Sequence, residues 1–143
     1  DAYRPGASRV ILVDSSAWIE FLRGSDHPAH RTLRHHLAGG SDIATTEVVV
    51  MELLAGVGAT GKRKRLRDTL LALPLLRLEN LADFEAAADL YRACRSKGTT
   101  LRSLTDCLIA SVAVRESVSV LHNDRDFEAI ARHSRLKLEP YVK

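Results

Sequence analysis

The chain has 143 residues, 45% hydrophobic and 27% charged, with a formal net charge of +3. That length bounds one domain with a real core, and the composition excludes a disordered chain. No apolar run approaches the length of a bilayer span, and the mild, Arg-rich basicity permits nucleic-acid binding without demonstrating it.

The start, Asp1-Ala2-Tyr3-Arg4-Pro5-Gly6, lacks a charged segment followed by an apolar stretch, so no leader and a cytoplasmic location are expected. Residues 1–9 read as a cloning remnant or disordered tail, and residues 10–143 as a single domain. Val10 to Val13 is wholly apolar and mostly β-branched, which predicts a central parallel strand covered on both faces. Ser15 to Gly24 reads as a helix stopped by its glycine, and Pro28 to Leu37 as a second helix ended by Gly39-Gly40. Asp42 to Ala44 predicts a brief strand. Thr45 or Thr46 then caps a helix that carries Glu52 and stops at Gly56.

Lys62 to Leu73 predicts a basic, Leu-rich helix halted by Pro74, and Leu75 to Leu78 a weak strand. Leu81 to Ser96 is amphipathic, with Phe84, Ala87, Ala88, Tyr91 and Cys94 assigned to one apolar face. Ser103 to Arg115 predicts a helix, Val118 to His122 a strand, Asp126 to His133 a helix, and Leu136 to Leu138 an edge strand. Cys94 and Cys107 have no C-x-x-C partner and read as buried free thiols.

Alternating strands and helices imply an α/β three-layer sandwich, a parallel sheet flanked by helices with right-handed crossovers. Ligands in such sheets bind beyond the carboxyl ends of the strands. Asp14 and Asp124 each follow a predicted strand, while Glu52 and Asp106 sit on helices among Val, Met, Leu, Ile and Cys. A carboxylate in such surroundings is costly without a partner. Four carboxylates meeting in one pocket repel unless a cation lies between them, and hard oxygen ligands suit Mg²⁺ or Mn²⁺.

The segments Val10-Ile11-Leu12-Val13-Asp14-Ser15-Ser16-Ala17-Trp18, Met51-Glu52-Leu53-Leu54-Ala55-Gly56, Leu104-Thr105-Asp106-Cys107-Leu108-Ile109-Ala110 and His122-Asn123-Asp124-Arg125-Asp126-Phe127 resemble, in order, the signature segments of PIN-domain ribonucleases. More narrowly the chain is similar to VapC toxins of VapBC toxin–antitoxin pairs, from Val10 to about Leu138. The resemblance implies a PIN-like fold and endonucleolytic, Mg²⁺- or Mn²⁺-dependent cleavage of structured RNA, often tRNA or rRNA. It places Asp14, Glu52, Asp106 and Asp124 on the acidic quartet and Asp126 on an additional acid. Ser15 or Ser16, and Thr105, fall on supporting hydroxyl positions. It also implies a VapB-type antitoxin whose C-terminal tail occupies the acidic pocket, and a homodimer.

On chemical grounds Asp14 and Asp106 are the first choices as metal ligands, with Glu52 and Asp124 binding directly or through water. Asp126 reads either as a ligand or as the cap of the helix it begins, and Asp14 also has a capping reading. Arg102 and Arg125 lie near the acids; they either clamp RNA phosphate or pair with the carboxylates. Lys62, Arg63, Lys64 and Arg65 are further candidates for RNA contact, or a solvated helix face.

Gly56 to Gly61 fits G-x-G-x-x-G, but a helix precedes it and Arg63 stands where a phosphate-binding loop needs Ser or Thr, so a turn between helices is expected. His27, His30, His35 and His36 read as solvent-facing rather than as metal ligands. Two rival classes remain. One is a non-catalytic RNA- or partner-binding module on the same fold. The other is a phosphoacceptor receiver domain, which Ser15 and Ser16 beside Asp14 and Asn123-Asp124-Arg125 after the late strand oppose.

Overall fold

The computed structural model describes residues 9–58 and 60–143. Four strands form one parallel sheet in the order β2-β1-β3-β4, with β1 at Val10–Val13, β2 at Asp42–Ala44, β3 at Ser119–Leu121 and β4 at Lys137–Leu138. Ile11 pairs with Ile43 on one side and with Ser119 on the other, so β1 is central. Consecutive residues Ile11, Leu12 and Val13 point to opposite faces and are all fully buried, which requires helices on both sides.

The helices are α1 (Ser15–Arg23), α2 (Pro28–Gly39), α3 (Glu47–Gly56), α4 (Thr60–Leu71), α5 (Asn80–Ser96), α6 (Leu104–Glu116) and α7 (Arg125–Arg132). The first helix packs on the second, α5 packs on α6 and α7, and α3 touches both groups. Trp18, Leu33, Ile109, Leu121, Phe127 and Ile130 are among the large side chains buried between them. Gly24 ends α1 with φ +60°, a left-handed conformation a glycine adopts without strain. Among the described residues no helix is long and apolar enough to cross a membrane.

Several local expectations need correction. Leu75 to Leu78 is not a strand: a single bridge joins Leu75 to Thr45, and Pro74 supplies the carbonyl that accepts from Thr45 N. The buried face of α5 is turned from the expected one. Phe84 and Ala88 are exposed while Asp83 is buried, because Asp83 meets Arg115 of α6. The Thr46 hydroxyl occupies the N-cap position of α3 but donates to Glu47 Oε1 rather than capping. Cys94 and Cys107 are buried and free.

Of the expected tail, residues 1–8 lie outside the described residues. Arg9 belongs with the fold: its side chain pairs with Glu139 and its carbonyl accepts from Asp42 N. The turn between α3 and α4 is short, and its Ala59 lies outside the described residues.

Only His35 among the four early histidines is fully solvent-facing. Nδ1 of His27 accepts from Ala29 N and caps α2, His30 accepts from Asp26 N, and His36 sits between Ser41 and Glu139.

Candidate active site

The carboxyl end of β1 delivers Asp14 directly into α1. Its N–H continues the sheet by donating to Leu121 O at 2.9 Å, and its backbone turns to become the N-cap of the helix. Oδ2 accepts from Ser16 N at 3.0 Å and from Ser16 Oγ at 2.5 Å. Oδ1 is buried and accepts from no described residue. The capping reading of Asp14 holds and uses only Oδ2, so it leaves Oδ1 open and does not exclude the ligand reading. Burial, only partly offset by the bonds from Ser16 and aggravated by the charge of Glu52, pushes its carboxyl up to about 6.

The second strand of this edge brings the β3–α7 turn alongside. Asn123 N donates to Ser16 Oγ at 2.8 Å, so one hydroxyl joins the ends of β1 and β3. Asp124 caps α7 by accepting from Asp126 N at 3.0 Å, and Asp126 lies in the first turn; the cap expected of Asp126 belongs to Asp124. His122 accepts from Asp124 N through Nδ1, and burial lowers its pKa, which favours the neutral imidazole this bond requires.

Helices α3 and α6 supply the rest. Glu52 Oε1 accepts from Ser15 Oγ at 3.1 Å and its Oε2 from Thr105 Oγ1 at 3.4 Å. Ser103 caps α6 and shares a 2.5 Å hydrogen bond with the Thr105 hydroxyl. Asp106 is 5% exposed, and its Oδ2 is a second buried oxygen with no described donor. Its carboxyl is pushed up to about 8, first by burial and then by the charges of Asp14, Asp124, Glu52 and Asp126. Carboxylate oxygens of Asp106, Asp124 and Asp126 lie within 4.8 Å of one another, the one group among the described residues arranged to hold a metal ion.

All five sequence-predicted acids thus converge, and so do Ser15, Ser16 and Thr105. The donor set is hard oxygen throughout, and two of the oxygens are buried without partners, which fits Mg²⁺ or Mn²⁺. Of the two readings of Arg102, the carboxylate pairing holds: Nη2 donates to Asp124 Oδ1 at 2.8 Å. Arg125 is exposed at the start of α7 and has no ion pair among the described residues. The side chains of Lys62, Arg63, Lys64 and Arg65 are exposed on α4 rather than among the acids, and Lys64 pairs with Asp68 one turn on.

Two features escaped the sequence. Ser103 and His122 orient Thr105 and Asp124, each two residues further on; the signal was local, a Ser immediately before α6 and an imidazole two residues ahead of Asp124. A groove of about 700 Å³ runs from Glu52 between α1, α3 and α4, with Trp18, Ile19, Leu22, Lys62 and Arg65 in its wall. Its signal was the excess of apolar residues in Trp18-Ile19-Glu20-Phe21-Leu22: a helix cannot turn all of them to one core, and Leu22 remains 52% exposed.

A model of the PIN domain matches residues 11–133. Ribonuclease VapC11 of Mycobacterium tuberculosis is 39% identical over 129 residues, covering 90% of this chain and 96% of that protein. A VapC ribonuclease of Mycobacterium bovis is similar to the same extent. Among solved structures, VapBC2 from Rickettsia felis, bound to a DNA fragment from its promoter, matches with a TM-score of 0.71 at 19% identity over 93% of this chain and 99% of that one. VapC20 of Mycobacterium tuberculosis, described as a sarcin-ricin loop cleaving toxin, matches with a TM-score of 0.59 at 18% identity over 89% and 98%. These structural likenesses speak to the fold.

Proposed function

The chain belongs to the PIN-domain family, and from that premise we propose that it is a Mg²⁺- or Mn²⁺-dependent endoribonuclease toxin, cleaving structured RNA such as tRNA or rRNA and neutralised by a VapB-type antitoxin. Residues 10–143 form its single nuclease domain, acting in the cytoplasm. One observation carries the reading. Asp106 is buried with an unpartnered oxygen against the charges of four other acids, an arrangement that is unfavourable until a cation joins it.

Asp14 and Asp106 are the principal ligands, with Glu52 and Asp124 completing the site directly or through water, and Asp126 beside them. A bound divalent ion supplies charge neutralisation for the scissile phosphate and an activated water. The chain's own residues set up that chemistry. Ser16 orients Asp14, Ser15 and Thr105 hold the two oxygens of Glu52, and the cap at Ser103 fixes the start of α6. Exposed Arg125 and the cations of α4 provide phosphate contacts outside the acidic cluster.

The groove beside Glu52 supports an antitoxin partner. Its wall is apolar, the Trp18 indole N–H is buried with no described acceptor, and the cations Lys62 and Arg65 flank it. An extended or helical segment with apolar anchors and acidic flanks fits that surface, reaching the acids at its Glu52 end. Exposed Met51, Leu81 and Phe84 are suited to a homodimer contact.

The test is cleavage of total RNA by the parent and by Asp14→Asn. The variant is expected to lose about a thousandfold in rate, the scale of several kcal/mol of lost charge stabilisation, while RNA binding is retained or strengthened. Equal cleavage by both proteins removes Asp14 from the machinery, and parent cleavage that persists after thorough chelation removes the metal.

A further inference from the structure

The acidic cluster is divided in two by a single side chain. Asp14 and Asp106 keep buried oxygens with no described partner, whereas Asp124 and Asp126 are engaged by Arg102. The backbone positions that residue independently of its guanidinium: Arg102 N donates to Asp126 Oδ2 at 2.8 Å, and Leu101 before it is buried. From this anchored point Nη2 reaches Asp124 Oδ1 at 2.8 Å and Nε lies 3.7 Å from Asp126 Oδ1. Asp124 and Asp126 belong to the triad, with Asp106, whose oxygens lie close enough to share one ion.

We propose that Arg102 is a built-in counter-cation that takes the place of a second divalent ion at the Asp124–Asp126 end of the cluster, so that the site holds one metal ion, held by Asp14 and Asp106 and reached by Asp124 only through water. This rests on the metal-dependent reading above and deepens it. Five carboxylates carry more negative charge than one ion balances, and a symmetric pair of metals about 4 Å apart is the common solution in phosphodiester hydrolysis. Here one guanidinium offsets part of the charge of two of the five acids, donating to Asp124 and lying beside Asp126, a two-point geometry that an ammonium does not match.

The experiment counts ions rather than activity. Mn²⁺ is titrated into the full chain, previously stripped with chelator, and bound ions are measured calorimetrically and by paramagnetic resonance. The parent is expected to bind one ion per chain. Arg102→Gln keeps the backbone bond to Asp126 and is expected to bind two, the second at least tenfold tighter than any second ion on the parent. Arg102→Lys, which keeps the charge, is expected to stay nearer one. Thermal melts of each ion-free protein confirm that folding is retained.

Two ions on the parent, or one ion on both parent and Arg102→Gln, overturns the proposal while leaving the metal-dependent reading intact. No ion on any of the proteins overturns both. Asp14→Asn should weaken the first ion whether or not the Arg102 inference holds, so it tests the metal-dependent reading independently of the ion count at Arg102.

Discussion

Asp14 helps to keep Asp106 protonated: the charge of the first, after burial itself, raises the second to about 8, and each retains a buried oxygen that no described residue satisfies. The two acids come from different parts of the chain, one at the end of β1 and the other in the first turn of α6. Their approach stores electrostatic repulsion that a proton on Asp106 relieves up to about pH 8 and that a bound cation would relieve in its place. Functional sites are where folds tolerate such conflict.

That conflict predicts a pH dependence. Both Asp14 and Asp106 have folded-state values above the ordinary 3.8, at about 6 and about 8. A carboxyl raised in this way contributes stability that is fully present below the unfolded value and is lost as pH rises to the folded one. The ion-free protein should therefore lose stability between about pH 4 and pH 8. Asp106→Asn removes the larger effect, so its melting temperature should exceed that of the parent by at least about 3 °C near pH 8, with the gap closing toward pH 4. Melts recorded in chelator check this; a gap independent of pH would refute it.

The hydroxyl of Ser16 accepts from Asn123 N and donates to Asp14 Oδ2, so it aligns two strand ends with one acid. Ser16→Ala should lower both cleavage rate and Mn²⁺ affinity by roughly 10- to 100-fold, the usual scale for a residue that orients a ligand. Ser16→Thr, which keeps the hydroxyl, should restore most of it. Rate and affinity measured in parallel distinguish orientation from a general loss of folding.

Away from the site, Arg115 holds the buried Asp83 with two hydrogen bonds, from Nε at 3.1 Å and Nη2 at 2.9 Å. Burial opposes ionisation of Asp83, but Arg115 and Glu79 N outweigh it and keep the carboxyl below its ordinary value. Arg115→Met leaves that charge unpaired and should cost about 2–3 kcal/mol near pH 7, less than a fully enclosed pair because Arg115 is partly solvated. The stability of a depressed carboxyl is present above 3.8 and lost as pH falls through its folded value, so the difference between the proteins should shrink in acid. Urea titrations at pH 7 and pH 3 measure both numbers.

Leu22 projects from α1 into the groove beside Glu52 and contributes little to the core. Leu22→Asp should leave folding and RNA cleavage within about twofold of the parent, but weaken binding of a VapB-type antitoxin at least tenfold by placing a charge on an apolar contact. Calorimetry with a VapB-type antitoxin gives the answer; unchanged affinity would move the partner off this groove.

Much of this was written locally. The apolar run Val10 to Val13 announces a strand covered on both faces, Asp14 follows it at the edge where ligands bind, and Gly24 stops the next helix; each depends on neighbours within a few residues. Sequence placement also singled out Asp14, Glu52, Asp106 and Asp124, at strand ends or within apolar helical segments, and the resemblance to PIN-domain ribonucleases added Asp126. What it left open were relationships between distant atoms. Whether Arg102 faces phosphate or Asp124 stayed open, and Phe84, expected inward, gives way to Asp83; both depended on which helices the crossovers laid side by side. Periodicity sets the spacing of a face but not its rotation against a neighbour, and a salt bridge of 2.8 Å is decided by packing from every side at once.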